Sequence, residues 1–145
     1  MLGIEEFMKT KLLVIIFAIL IVSIGFSTGC ASKKKNQTLS TFDETTRLYG
    51  RVLRWRELEG AVNMIRHQDE SSVEVNLDDY KDLRVTDYEI KKVVMGDDLK
   101  TAVVEAEISY YYETSNVVKT IRDVQNWWYL EEAEKWFLDD DFPAF

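Results

Sequence analysis

Thr101-Ala-Val-Val-Glu-Ala-Glu-Ile-Ser-Tyr-Tyr-Tyr112 alternates with a period of two along its whole length. Ala102, Val104, Ala106, Ile108, Tyr110 and Tyr112 fall on one face; Thr101, Val103, Glu105, Glu107, Ser109 and Tyr111 fall on the other. An unbroken apolar row has to be covered, while glutamates opposite it have to meet water. Together they mark an antiparallel sheet with one solvated face. The small Ala102 and Ala106 leave room for a helix on the covered side.

Outward from this strand, Met95-Gly96-Asp97-Asp98 and Glu113-Thr114-Ser115-Asn116 read as turns. Strands are therefore expected over Arg84–Val94 and from Val117 to about Leu130. A turn at Glu131–Glu134 leads to a last strand, Lys135–Asp139. The tail Phe142-Pro143-Ala144-Phe145 is apolar enough to dock. Upstream the period lengthens to that of a helix. Leu48, Val52 and Trp55 recur at helical spacing, with Tyr49 and Leu53 beside them, and Thr41-x-x-Glu44 matches a capping box. A helix is expected from about Phe42 to Trp55, with Gly50 admitting a close neighbour. A second helix, Glu57–Arg66, would bury Leu58, Ala61, Val62 and Ile65. His67–Val75 is polar and reads as a loop, and Asn76 caps a short helical turn that packs Leu77 and Tyr80 inward. Helices followed by an antiparallel four-stranded sheet define an α+β class.

The 145 residues carry a net charge of −8, but the charge is uneven: from Asn36 onward it is −11. An acidic body argues against nucleic acid and against lying flat on anionic lipid. Lys33, Lys34 and Lys35 precede it as a solvated stretch that could touch headgroups. Residues 31–40 are polar and lack an apolar period, so residues 30–40 are expected to be a flexible tether and 41–145 a single domain. Cys30 is the sole cysteine, which rules out a disulfide within one chain.

The N-terminal segment shows where that cysteine belongs. Lys9 and Lys11 precede a mostly apolar run, Leu12–Phe26, and small residues lead to Cys30. This is the pattern of an export signal. As a helix the run is about 22 Å long, short of a hydrocarbon core of about 30 Å, although continuing to Ala31 reaches that length and leaves an uncleaved anchor open. Ser27-Thr28-Gly29-Cys30 resembles the lipobox of bacterial lipoproteins, with Ser27 standing where an aliphatic residue is usual. Glu5 and Glu6 are unusual so near a signal, and a start at Met8 would remove them. The resemblance implies cleavage after Gly29, a diacylglycerol thioether on Cys30 and an acylated amine, with palmitate-type chains. Two or more chains hold a protein firmly to a membrane. Ala31 after the cysteine implies the outer membrane, facing the periplasm, in a Gram-negative cell.

Over Thr41–Asp140 the order of elements resembles the cystatin-like α+β roll typified by nuclear transport factor 2. The likeness rests on the break Arg54-Trp55-Arg56-Glu57-Leu58 and on the hairpin Trp127-Trp128-Tyr129 / Lys135-Trp136-Phe137-Leu138. The whole chain is similar to small bacterial lipoproteins that carry such a domain. The roll hosts isomerases, dehydratases and proteins with no chemistry, and no catalytic motif of its enzymatic branches is matched here.

The candidate sites are correspondingly modest. His67, the sole histidine, reads as solvated in its polar loop. Asp139, Asp140 and Asp141, with Asp97 and Asp98, read as surface charge, since neighbouring strand carboxylates point to opposite faces. No residue set has metal-ligand spacing, and no cofactor is implied. Arg47, Arg51 and Arg54 share a helix face, where Asp43 could pair with Arg47. Tyr49, Trp55, Tyr110, Tyr112 and Trp128, with Trp127 and Trp136, could line a pocket or partner surface, core packing being the ordinary reading for each. Tyr111 and one of Trp127/Trp128 must face outward and could mark a partner surface or dimer seam. The implied function is a membrane-anchored binding or assembly module with an envelope partner or a homodimer through the sheet. The alternative is a small isomerase- or dehydratase-like enzyme using the cavity of the roll. Replacing Cys30 by Ala is expected to leave the chain without lipid and with residues 1–29 still attached. Intact-mass spectrometry of the two membrane fractions checks this.

Overall fold

The computed structural model describes residues 29–145, with side chains from Lys34 onward. The order is α1 (Gly29–Arg54), α2 (Leu58–Val62), a 3-10 turn (Leu77–Tyr80), β1 (Leu83–Met95), β2 (Thr101–Tyr112), β3 (Lys119–Leu130) and β4 (Lys135–Leu138). The strands form one antiparallel meander in the order β1-β2-β3-β4. The residues fall into two compact units, one ending at Asn36 and the other running from Gln37 to Phe145. The second holds the whole sheet and its core. A helix packed on an open four-stranded antiparallel sheet is the α+β arrangement the patterning predicts.

The strand reading holds closely. β2 has the expected bounds, and Ala102, Val104, Ala106, Ile108 and Tyr110 on its covered face are buried. Across β3 the same face carries Gln125, Trp127 and Tyr129. Asn76 caps the 3-10 turn as expected, its side chain accepting from the Asp78 amide at 3.3 Å. The tail docks as well: Phe142 is buried, 5.1 Å from Tyr80, and Phe145 lies 5.2 Å from Tyr110.

The helices depart from expectation in three ways. First, α1 begins by Gly29, so residues 30–40 are helical rather than a flexible tether, and Thr41 lies inside the helix rather than capping it. Its hydroxyl donates back to the Thr38 carbonyl at 3.0 Å. The stripe that α1 buries is Thr38, Phe42, Thr46, Tyr49 and Leu53, and the two threonines conceal it from a search for apolar residues. Thr46 Oγ1 donates to Phe42 O at 3.1 Å, which satisfies it in an otherwise apolar row. Second, the stripe is rotated from the predicted one: of Leu48, Val52 and Trp55, only Val52 is buried. Third, the second helix stops at Val62. Ile65 is still buried, but through a parallel bridge to Leu138.

The break between α1 and α2 is a Schellman ending. Arg56 adopts a left-handed φ of 63°, its amide bonding Leu53 O and that of Glu57 bonding Val52 O. Two contacts seat α1 across the sheet. At β4, Trp136 Nε1 donates to Thr38 O at 3.1 Å and its ring meets Phe42 edge-on at 4.8 Å. At β1, Gly50 lies directly under the Tyr88 ring. A methyl group there would come within 2.7 Å of Cγ and 2.9 Å of Cε1. These are atoms near the root of a half-buried ring, which cannot swing aside freely. Gly50→Ala is therefore expected to destabilise by about 1–2 kcal/mol, the clash outweighing about 1 kcal/mol of helix propensity. Gly60→Ala in α2, where the nearest atom would be 3.7 Å away, is expected to be neutral or stabilising. Urea titration of the two variants tests the pair.

Candidate functional site

The two outer edges of the sheet end differently. The outer edge of β4 is covered by the segment after α2: Leu138 N bonds Met64 O, and Arg66 N bonds Leu138 O, both at 2.9 Å. Among the described residues β1 pairs on one side only. Its free edge is interrupted by register breaks at Val85/Asp87 and Ile90/Lys92 and carries Glu89, Lys91 and Lys92. Bulges and charges of this kind discourage indiscriminate strand pairing.

Beside that edge lies an open groove of about 1110 Å³. One wall is the face of α1 left over by the rotated stripe: Leu48, Arg47, Arg51, Arg54 and Trp55, with Phe42, Asp43 and Glu44 at its far end. The other wall is β1. Tyr88, Ile90 and Val93 come from its covered face, opposite Ile108, Ala106 and Val104, whereas Glu89 comes from the other face. The groove therefore reaches around the strand's edge. Trp55 is 66% exposed, and Leu48 and Val93 are 41% and 43% exposed. Arg51 lies 5.8 Å over the Trp55 ring. Asp43 holds Arg47 at 3.0 Å, and Glu89 is held by Lys91 at 2.6 Å. The Arg51 and Arg54 side chains have no carboxylate partner and make no hydrogen bond among the described residues.

The predicted aromatic residues do not converge on one pocket. Trp55 stands in the groove. Tyr49 is fully buried, edge-on to Trp127 at 5.6 Å and to Tyr88 at 6.2 Å. Tyr110 and Tyr112 pack at the opposite end of β2, where Phe145 seals Tyr110. Trp128 faces outward over Phe137 and donates to Arg66 O at 2.7 Å, with Arg66 over the Phe137 ring. Tyr111 pairs with Arg84 and Trp128 with Thr101, at opposite ends of β2, so the two do not form one outer patch. Trp127 and Trp136 belong to the core. Cys30 lies on the α1 backbone. Leu48, Ile90 and Val93 are the groove residues that sequence reasoning missed. The available signal was Leu48 and Trp55 recurring seven residues apart, out of phase with Phe42 and Tyr49.

His67 is not free in solvent, as its loop suggested. It is half-buried against the chain after β4, with Nδ1 3.3 Å from Asp139 O and 3.7 Å from Asp139 Oδ1. Asp139 also accepts from the amide and side chain of Gln68, each at 2.8 Å, and Asp140 accepts from Asn126. These aspartates pin the chain end to the body. No group of three potential metal ligands occurs among the described residues.

One polar cluster is built into the covered face. Gln125, buried on β3, accepts from Tyr88 Oη at 2.9 Å and Trp127 Nε1 at 3.1 Å, and donates to Asp123 at 2.7 Å. Burial pushes the Asp123 carboxyl above the ordinary range; the Gln125 hydrogen bond offsets this in part, and Asp140 adds to it. Burial holds the Tyr49 phenol neutral far beyond its usual range, with Asp123 nearby adding to the effect. Its hydroxyl has no hydrogen-bond partner among the described residues. Tyr49 is wholly enclosed, so phenol and carboxyl share no opening that a substrate could enter.

No helix among the described residues is long and apolar enough to cross a membrane; the apolar run 12–26 lies outside them. Comparison with protein-family models finds no match, and comparisons with curated proteins and with solved structures find none.

The raised Asp123 carboxyl binds its proton more tightly folded than unfolded. It therefore costs stability increasingly as pH rises from about 4 through its folded value, and by a constant amount above that. Asp123→Asn is expected to be more stable than the parent at pH 7, with the advantage vanishing below about pH 4. Urea titrations at stepped pH check this.

Proposed function

We propose that this chain is a bacterial envelope lipoprotein, held to a membrane through acylated Cys30, whose cystatin-like roll acts as a binding module rather than an enzyme. The groove between α1 and β1 is the site of contact. The observation that carries this reading is the left-over face of α1. Leu48 and Trp55 are large, apolar and exposed beside the only strand edge left uncovered among the described residues. An exposed apolar cluster rimmed by charge is the usual composition of a protein contact, with aromatic and Arg side chains as its anchors. The interior supports the same reading from the other side, since the covered face is filled by Tyr49, Trp127, Tyr110 and the docked tail.

An outer-membrane location facing the periplasm follows if the cell is Gram-negative, and places the partner among envelope proteins. The experiment is crosslinking in intact cells with the full chain. Trp55→Ala is expected to abolish the crosslinked product, with the melting temperature changed by no more than a few degrees because Trp55 packs so little. Val118→Ala, at an equally exposed apolar position away from the groove, is expected to leave the product unchanged. Cys30→Ala should reduce it by removing the anchor. An undiminished product with Trp55→Ala would overturn the groove as the contact.

A further inference from the structure

Resting on the groove reading, we infer that its occupant is an extended acidic peptide segment of a partner, with aliphatic side chains between its carboxylates. The charge of the groove carries this. In a chain whose folded body is strongly acidic, the groove keeps two guanidinium groups unmatched. Asp43 is matched by Arg47 and Glu89 by Lys91, but Arg51 and Arg54 make no ion pair among the described residues. Arg51 is not idle, because its guanidinium carbon lies over the Trp55 ring. A contact with a ring face uses none of the guanidinium N–H donors, which remain available to grip a carboxylate with two parallel hydrogen bonds.

The apolar wall selects the rest of the occupant. Leu48 and Trp55 on α1 face Ile90 and Val93 on β1, so aliphatic side chains of the guest leave water as its carboxylates meet Arg51 and Arg54. The groove is also polar along its length. Glu44 lies seven residues from Arg51, about 10 Å along the helix. It repels a guest carboxylate at that end and so sets the direction in which the segment lies. The guest is a peptide rather than an anionic bilayer, because a broad negative surface would be repelled by the acidic body as a whole, whereas a narrow segment meets the local charge of the groove. The register break at Ile90/Lys92 limits main-chain pairing with β1, so recognition rests on side chains.

The test uses the full chain in nanodiscs of phosphatidylcholine and a fluorescein-labelled nonapeptide of alternating Glu and Leu. Fluorescence anisotropy is expected to show saturable binding that weakens with added salt. The double variant Arg51→Glu/Arg54→Glu should weaken it at least tenfold and should in turn bind the matching Lys/Leu nonapeptide. Both positions are solvated but stand in the last turn of α1, where Glu opposes the helix dipole, so the variant is expected to melt a few degrees lower and to remain folded. Equal binding of the Lys/Leu and Glu/Leu peptides by the parent, both lost with Trp55→Ala, would overturn the acidic guest while leaving the groove as the site. Binding unaffected by both Trp55→Ala and Leu48→Ser would overturn the groove as well. Displacement of the acidic peptide by phosphatidylglycerol vesicles at matched charge would overturn the peptide in favour of a lipid headgroup.

Discussion

One row of side chains on β2, from Ala102 to Tyr110, has to be kept from water, and a single long helix does most of that work. The fit depends on how closely α1 can approach. Alanines at 102 and 106 lower the floor of the sheet, and Gly50 removes the one side-chain carbon that would meet Tyr88. Trp136 anchors the other half of the helix through the Thr38 carbonyl and Phe42. With the helix held at both sides of the sheet, its rotation about its own axis is settled, and that rotation decides which side chains remain outside.

The groove is a consequence of that rotation. A helix serving as the main cover buries one stripe, and the stripe chosen is Thr38-Phe42-Thr46-Tyr49-Leu53. Leu48, Arg51 and Trp55 are turned toward β1 and solvent. The two sheet edges then differ in what they have to spare. The chain after α2 bonds to Leu138 and closes the β4 edge, whereas among the described residues β1 is left bare and protected only by bulges and charge. Among the described residues, exposed apolar groups, unmatched guanidiniums and an open strand edge thus meet along one line. The same economy explains the interior. Gln125 draws Tyr88, Trp127 and Asp123 into one hydrogen-bonded cluster, and the docked tail occupies the aromatic end near Tyr110.

Much of the sheet was legible because a strand writes its two faces into alternate residues. The bounds of β2, the turns on either side of it, the Asn76 cap and the docking of Phe142 and Phe145 all follow from local chemistry. The helical register was less legible. Two buried positions are threonines that satisfy their hydroxyls on the helix itself, so an apolar count selects Leu48 and Trp55 in their place. The predicted aromatic set scattered for a related reason. Composition says that tryptophans and tyrosines will be buried or paired, but not in which of several layers each will lie.

By itself, the sequence determined the α+β class, the covered and wet faces of the central strand and the room for a close neighbour at Gly50. Each of these is a matter of period or of side-chain size at one position. Only the tertiary structure decided the rotation of α1, the closing of one sheet edge and the baring of the other, and hence the groove. It also decided that His67 rests against Asp139, seventy-two residues away. The physical reason is that these features depend on which surfaces of distant segments meet, and the free energy of such a meeting belongs to the pair of surfaces and is not carried by either segment alone.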